Sequence, residues 1–300
     1  MLKLEAALAF VAIAEAGSIT AGARRLQISK SVASERLAEL ERNLGATLMH
    51  RTTRRLTLTE DGIAFHERAK RILRQVSDAT SEISERRGEL AGPLRISAPV
   101  SFGIRHLGPA ICSFLKQNPR IELTLELDDR FVNVADGFDA IVRHGPVPDN
   151  GLIVKRLAPS KRMLVASPAY LKKNGVPKNI ADLERHNGII YSLRGASDWR
   201  FRHSGRWKSA HPAKIFRVNN GIVMRDAAIE GFGIALLTSF IVHDALASKK
   251  LHAIDVGAEA EHATIFIAFP KDRRVSAKVS ALTAHLRAAF GTPPYWDRPA

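Results

Sequence analysis

Residues 17–44 read GSITAGARRLQISKSVASERLAELERNL, and the rest of the chain is organised around them. At helical spacing the stretch gives two short helices meeting at a tight corner. Ser18 is placed to cap the first, its hydroxyl accepting a backbone N–H of the opening turn, while Ala21, Gly22 and Ala23 keep that helix thin. Ser29 is placed to cap the second in the same way. Along it Ala33, Leu37, Leu40 and Leu44 fall at steps of four, three and four and make one apolar stripe. The opposite face carries Lys30, Ser31, Ser34, Glu35 and Ala38, small or polar groups on a flat surface. Such a face suits a helix lying in the major groove of DNA, where side chains reach base edges. An ordinary amphipathic pair with a solvated face carries the same pattern.

The segment after the corner favours the DNA reading. Residues 45–58, GATLMHRTTRRLTL, predict a turn and a two-stranded wing, with Leu48, Leu56 and Leu58 inward and Arg51, Arg54 and Arg55 outward. Between residues 22 and 55 eight basic side chains stand against three acidic ones, Glu35, Glu39 and Glu41, a net of +5. Arginines on a wing suit phosphates and a narrow minor groove.

The run from Ser18 to Gly62 closely resembles the winged helix-turn-helix of LysR-type transcriptional regulators. It keeps an unbroken order of cap, small-residue helix, SxS-containing recognition helix, LExxLG, RTxR and LTxxG. The likeness extends from Leu2 to Phe290. It implies a DNA-binding regulator whose grip on a split operator changes when a small molecule binds between two α/β lobes. It favours Arg54 as the groove contact. At Glu35 the sequence departs from relatives, which commonly carry a basic residue there. A carboxylate beside phosphates must turn away, pair with Arg36 or Arg42, or accept from the N4 amino group of a cytosine. Glu35 and Glu39 also make an unfavourable i,i+4 pair, for which a purpose and neutral drift are equally good accounts.

At 300 residues, 45% hydrophobic and 25% charged, the chain has the profile of a soluble globular protein with two or three compact units. No apolar run approaches the roughly 18–20 residues of a membrane span. MLKLEAALAF leads straight into a helical pattern and does not read as a signal peptide. The single cysteine, Cys112, excludes an internal disulfide and reads as a buried small hydrophobe in a reducing compartment, the cytoplasm. The net charge of +15 does not locate a DNA surface, since residues 1–92 carry only +3 and residues 93–300 carry +12.

In chain order, residues 1–58 form the winged domain, opened by a helix at 2–16. Residues 59–92 are a linker helix and hinge, capped by Thr59 and ended at Gly92-Pro93. In it Phe65, Ala69, Ile72, Val76, Ala79 and Ile83 recur at heptad spacing, so Phe65, Ile72, Val76 and Ile83 read as a dimer seam. Such a helix would be about 40 Å long. The other reading lays it on its own domain. Residues 93–300 alternate strand and helix, which argues a parallel α/β sheet. The strands are 94–99, 121–127, 139–143, 162–167, 188–192, 233–237 and 264–269. Helices fall at 104–117, 131–138, 179–186, 219–231 and 275–290, with a Trp/Arg-rich hairpin at 199–217. By resemblance, lobe one holds about 93–160 and 263–290 and lobe two about 161–262, as in periplasmic binding proteins. The tail PPYWDRPA reads as loose.

There is no GxSxG elbow, no Walker loop, no HExxH and no metal-ligand spacing among the eleven histidines, so neither an enzyme nor a cofactor is expected. Ligands of two-lobed α/β folds sit beyond the carboxyl ends of the strands. There the chain offers Ser97, Ser101 and the backbone around Phe102, where a helix start would aim N–H groups at an anion, together with Asp129, Arg130 and Arg143. The resemblance adds Tyr191 and Ser192 to Ser101 and Asp129. Because relatives often carry a neutral hydroxyl at Asp129, a simple carboxylate effector fits poorly. Arg143 reads equally as a structural salt bridge to Asp139 or Asp129. The basic cluster of Arg194, Arg200, Arg202, Arg206, Lys208, Lys214 and Arg217 reads first as a solvated face, and second as an anion site or subunit contact.

The expectation is a homodimeric or homotetrameric regulator that binds duplex DNA and a small-molecule effector, with an anionic effector as one option and no membrane partner. The rival is a solute-binding protein or enzyme carrying an incidental helix-turn-helix.

Overall fold

The structure, a computed structural model, describes residues 2–51, 56–86, 89–130, 137–145, 151–194, 199–271 and 276–298. It divides into two compact units, Met1–Glu89 and Leu90–Ala300.

The first unit runs α1 (Leu4–Ala16), α2 (Ile19–Arg25), α3 (Lys30–Leu44), β1 (Met49–Arg51), β2 (Leu56–Leu58) and α4 (Glu60–Arg86). Both serine caps form: Ser18 Oγ accepts the Ala21 N–H at 3.1 Å and Ser29 Oγ the Val32 N–H at 3.2 Å. Thr59 caps α4 through the Gly62 N–H at 2.9 Å. Helices α1, α2 and α3 pack around Phe10, Ile13, Ala33, Leu37 and Leu40, all fully buried. Gly22 lets α2 lie against α1, since a Cβ there would stand 2.7 Å from Ile13 Cα. The stripe on α3 stops one residue earlier than its spacing implies, because Leu44 is 37% exposed beside the αL cap Gly45.

The second unit opens with β3 (Gly92–Ala98), α5 (Val100–Phe102), a π-helical turn at Gly103–Leu107, α6 (Gly108–Gln117), β4 (Ile121–Leu127), β5 (Ala140–Gly145) and β6 (Leu152–Ser160). It continues through β7 (Arg162–Ala166), α7 (Pro168–Asn174), a 3₁₀ turn at Ala181–Arg185, β8 (Asn187–Tyr191), β9 (Arg200–His203), β10 (Arg206–Ser209) and β11 (Lys214–Val218). Last come α8 (Gly221–Ile229), β12 (Ile234–Thr238), α9 (Ser239–Ala247), β13 (His252–Ile254), β14 (Glu259–Ala260), β15 (Ala263–Pro270) and α10 (Ala277–Phe290). One five-stranded sheet has the order β4-β3-β5-β15-β6 and a second β11-β8-β12-β7-β13.

Five sequence expectations need correction. The sheets are mixed rather than parallel. In the first, β3 runs parallel to β4 and β5, but β15 returns from the second sheet and enters between β5 and β6 antiparallel to both. The hairpin at 199–217 is shorter: only β9 and β10 pair, while β11 leaves to run parallel to β8. Pro212 breaks the segment and seats where a Cβ on Gly188 would lie. The stretch 179–186 holds a 3₁₀ turn and no α-helix. Cys112 faces outward from α6 and is exposed. The C-terminal tail is anchored, with Trp296 only 3% exposed among Phe102, Phe240 and Phe290. Residues 131–136 of the expected short helix lie outside the described residues.

Candidate functional site

In the first unit the candidate surface is the outer side of α3. Ser29, Lys30, Ser31 and Glu35 are exposed and Ser34 is half-buried, while Ala33 and Leu37 on the inner side are fully covered. Ser29 and Ser31 share a hydroxyl–hydroxyl hydrogen bond of 2.8 Å, which orders the first turn. Charges on the flanks of α3 are already engaged with α1: Arg36 donates to Glu5 at 2.9 Å and Lys3 pairs with Glu39 at 2.7 Å. Those pairs take Arg36 out of the choices left for Glu35. Among the described residues it makes no hydrogen bond or ion pair, with Arg36 or any other partner, and points to solvent.

Sequence reasoning overlooked Glu41. Its Oε1 accepts the N–H groups of Leu48 (2.8 Å) and Met49 (3.2 Å), tying the recognition helix to the first strand of the wing. The signal was present as the acidic residue of LExxLG. Backbone register pairs Arg51 with Leu56 in the wing. The Arg51 side chain, Arg54 and Arg55 lie outside the described residues.

Along α4 the proposed seam divides. Phe65 packs inward, its ring 5.6 Å from that of Phe10, and Ala69 is buried in the same core. Ile72, Val76 and Ile83 are 50%, 43% and 58% exposed on one stripe. The exposed apolar row therefore begins at Ile72 rather than at Phe65.

In the second unit a cleft of about 590 Å³ is lined from both sheets. Of the eight residues named from the sequence, Ser101, Phe102, Asp129, Arg130, Arg143 and Tyr191 line it. Ser97 stands behind, fully buried, and accepts a hydrogen bond from Arg143 Nη2 at 2.9 Å. Ser192 is exposed and away from the lining; its N–H closes onto Val218 O at 2.9 Å. Arg143 Nη1 donates to Val142 O at 2.8 Å, so two bonds pin the guanidinium. No ion pair joins it to Asp139 or Asp129 among the described residues; the Asp139 carboxylate instead takes the Arg95 N–H at 2.7 Å. Burial pushes the Arg143 pKa down, with Asp128 and Asp129 acting against that.

The anion cradle expected at the helix start is occupied. Asp129 Oδ1 accepts the Val100 N–H at 3.0 Å, and α5 is a three-residue turn. Burial pushes the Asp129 pKa up. Across the cleft α8 begins at Gly221, where a Cβ would stand 2.4 Å from Ile241 Cδ1. Its first N–H groups are taken by the Asn220 side chain, which accepts from Ile222 and Val223.

The cleft also gathers Arg162, His144 and Thr238, which sequence reasoning did not assign to it, and Arg194 from the basic cluster read secondly as an anion site. Arg162 opens β7 and Thr238 closes β12, opposite each other in register. The rule that ligands lie beyond strand carboxyl ends would have found Thr238, but nothing local marks Arg162. His144 Nε2 shares a 2.9 Å hydrogen bond with Ser160 Oγ, and the imidazole stays neutral, its pKa lowered to about 3 by burial and then by Arg194 and Arg162. The lining thus combines cations, two carboxylates and an apolar floor that includes Met224, Phe240 and Ile241.

Residues 87–291 match the model described as LysR substrate binding domain, and residues 4–63 that of the bacterial regulatory helix-turn-helix protein, lysR family. The chain is 33% identical to the HTH-type transcriptional regulator PtxR of Pseudomonas aeruginosa, over 98% of this chain and 95% of that one. It is 32% identical to the HTH-type transcriptional regulator DmlR of Escherichia coli K12, over 94% and 92%. Among solved structures, the full-length Vibrio cholerae virulence activator AphB is similar with a TM-score of 0.59 and 26% identity, covering 95% of this chain and 99% of that one.

Proposed function

Because the chain belongs to the LysR family of transcriptional regulators, which bind DNA through the helix-turn-helix and a small-molecule effector through the second unit, we propose how this member does both. Ser29, Lys30, Ser31, Ser34 and Glu35 face the bases of an operator half-site, and Arg51, Arg54 and Arg55 hold the flanking phosphates and minor groove. The orientation of α3, polar side out and Leu37 side in, carries this reading.

Two copies join through Ile72, Val76 and Ile83 of α4, as a dimer or as a pair of dimers. The effector carries an anionic group that meets Arg143, with Arg162 and Arg194 adding positive field. The protein works in the cytoplasm; no single helix among the described residues is long and apolar enough to cross a membrane.

The deciding experiment is a mobility shift of duplex DNA from upstream of the protein's own gene, run over a series of salt concentrations. A retarded complex that weakens steeply with salt and is lost on Arg54→Ala supports the assignment. Salt-independent or absent binding favours a solute-binding protein with an incidental corner motif.

A further inference from the structure

The cleft holds charges of both signs, and Arg143 forms no direct ion pair with Asp128 or Asp129 among the described residues. Arg143 is 7% exposed, fixed by Ser97 and Val142, and its Nε has no hydrogen-bond partner among the described residues. Thr238 Oγ1, 6% exposed and also on the lining, has none either. The same lining holds Asp128 and Asp129. Each uses one carboxylate oxygen on a backbone N–H: Asp128 Oδ1 on Arg130 at 2.7 Å and Asp129 Oδ1 on Val100 at 3.0 Å. Among the described residues neither forms an ion pair with Arg143, although all three line one cleft.

A buried guanidinium with no direct ion pair is costly, and so is a carboxylate half removed from water. Had the cleft evolved for a plain anion, the two aspartates would repel it. Had it evolved for a plain cation, Arg143 would do so. A ligand with both charges satisfies both signs at once, its anionic group meeting the Arg143 guanidinium, whose Nε is left without a partner among the described residues. Phe240 and Ile241 share the lining and suit a hydrocarbon side chain.

Resting on the reading that this cleft holds the effector, we infer that the ligand is a zwitterion with an apolar body, of the chemical class of an α-amino acid. Its carboxylate meets Arg143 and Thr238, and its ammonium group meets Asp128 and Asp129.

The full-length protein is titrated calorimetrically with six probes: L-leucine, L-phenylalanine, the carboxylic acids lacking the amino group (4-methylpentanoate, 3-phenylpropanoate) and the amines lacking the carboxylate (3-methylbutylamine, 2-phenylethylamine). The expected result is that at least one amino acid binds ten times more tightly than both of its single-charge analogues. Asp129→Asn should abolish that preference by weakening the amino acid and strengthening the acid, since one repelling carboxylate is gone. If that variant unfolds, as read by its thermal transition, Asp128→Asn serves in its place. An acid that binds as tightly as its amino acid overturns the inference and leaves the anionic-effector reading standing. An amine that binds tightest overturns both. Silence from all six probes overturns the inference.

Discussion

Trp296 closes over His106, ring centroids 4.7 Å apart, in a tail that sequence composition alone would leave loose. Nδ1 of His106 accepts from the Tyr295 hydroxyl and its Nε2–H donates to Phe240 O at 2.8 Å. Phe102 and Phe240, which line the cleft, lean on the same indole. The turn at Tyr295–Asp297 thus braces two residues of the cleft lining from behind. Trp296→Ala should destabilise the second unit by about 3–5 kcal/mol, the usual cost of emptying a large aromatic site. Urea unfolding followed by circular dichroism measures it; a loss under about 1 kcal/mol would show the tail to be dispensable.

The same cluster makes stability depend on pH. Burial lowers the His106 pKa from 6.5 to about 4, so the folded protein holds this imidazole neutral while the unfolded chain protonates it. The contribution is fully present above pH 6.5 and is lost as pH falls from there towards 4, by at most roughly 3 kcal/mol. All three tryptophans, Trp199, Trp207 and Trp296, lie in this unit, so fluorescence-detected unfolding across that window reports it. His106→Leu should flatten the slope.

Glu41 braces the wing through two backbone N–H groups of buried residues. Glu41→Ala leaves both unpaired and should cost the first unit about 1–3 kcal/mol, whereas Glu41→Gln, which keeps an acceptor, should recover most of it. Thermal unfolding of both variants provides the comparison. Equal losses would place the effect in charge rather than in hydrogen bonding.

Ile72 is half exposed on the apolar row of α4. Ile72→Asp should weaken self-association by about 3 kcal/mol, roughly a hundredfold, by burying a charge between two helices. Because the side chain is not part of its own unit's core, that unit should keep its melting temperature. Sedimentation of an intact dimer would move the interface elsewhere.

Glu35 stands on the outer side of α3, without a partner among the described residues. Glu35→Gln should strengthen non-specific DNA binding and relax preference at one base pair in each half-site, as expected of a carboxylate that repels phosphates and accepts from a cytosine. Selection from randomised half-sites gives the readout. Unchanged base preference would make Glu35 a bystander.

The N-terminal unit was legible because its determinants are local. Ser18, Ser29 and Thr59 cap through bonds spanning three residues, and Ala33, Leu37 and Leu40 follow from helical period alone. Strand-end chemistry likewise placed Ser101, Asp129 and Arg143 at one cleft. Tertiary structure decided what depends on segments distant in sequence. It brought Arg162 and Thr238 face to face across β7 and β12, gave the Val100 N–H to Asp129, turned Phe65 onto Phe10, and buried Trp296 against His106. An apolar or charged side chain states only that it needs a partner. Which partner it meets is set by the path of the whole chain, here by β15 returning between β5 and β6 and carrying α10 and the tail back to the first sheet.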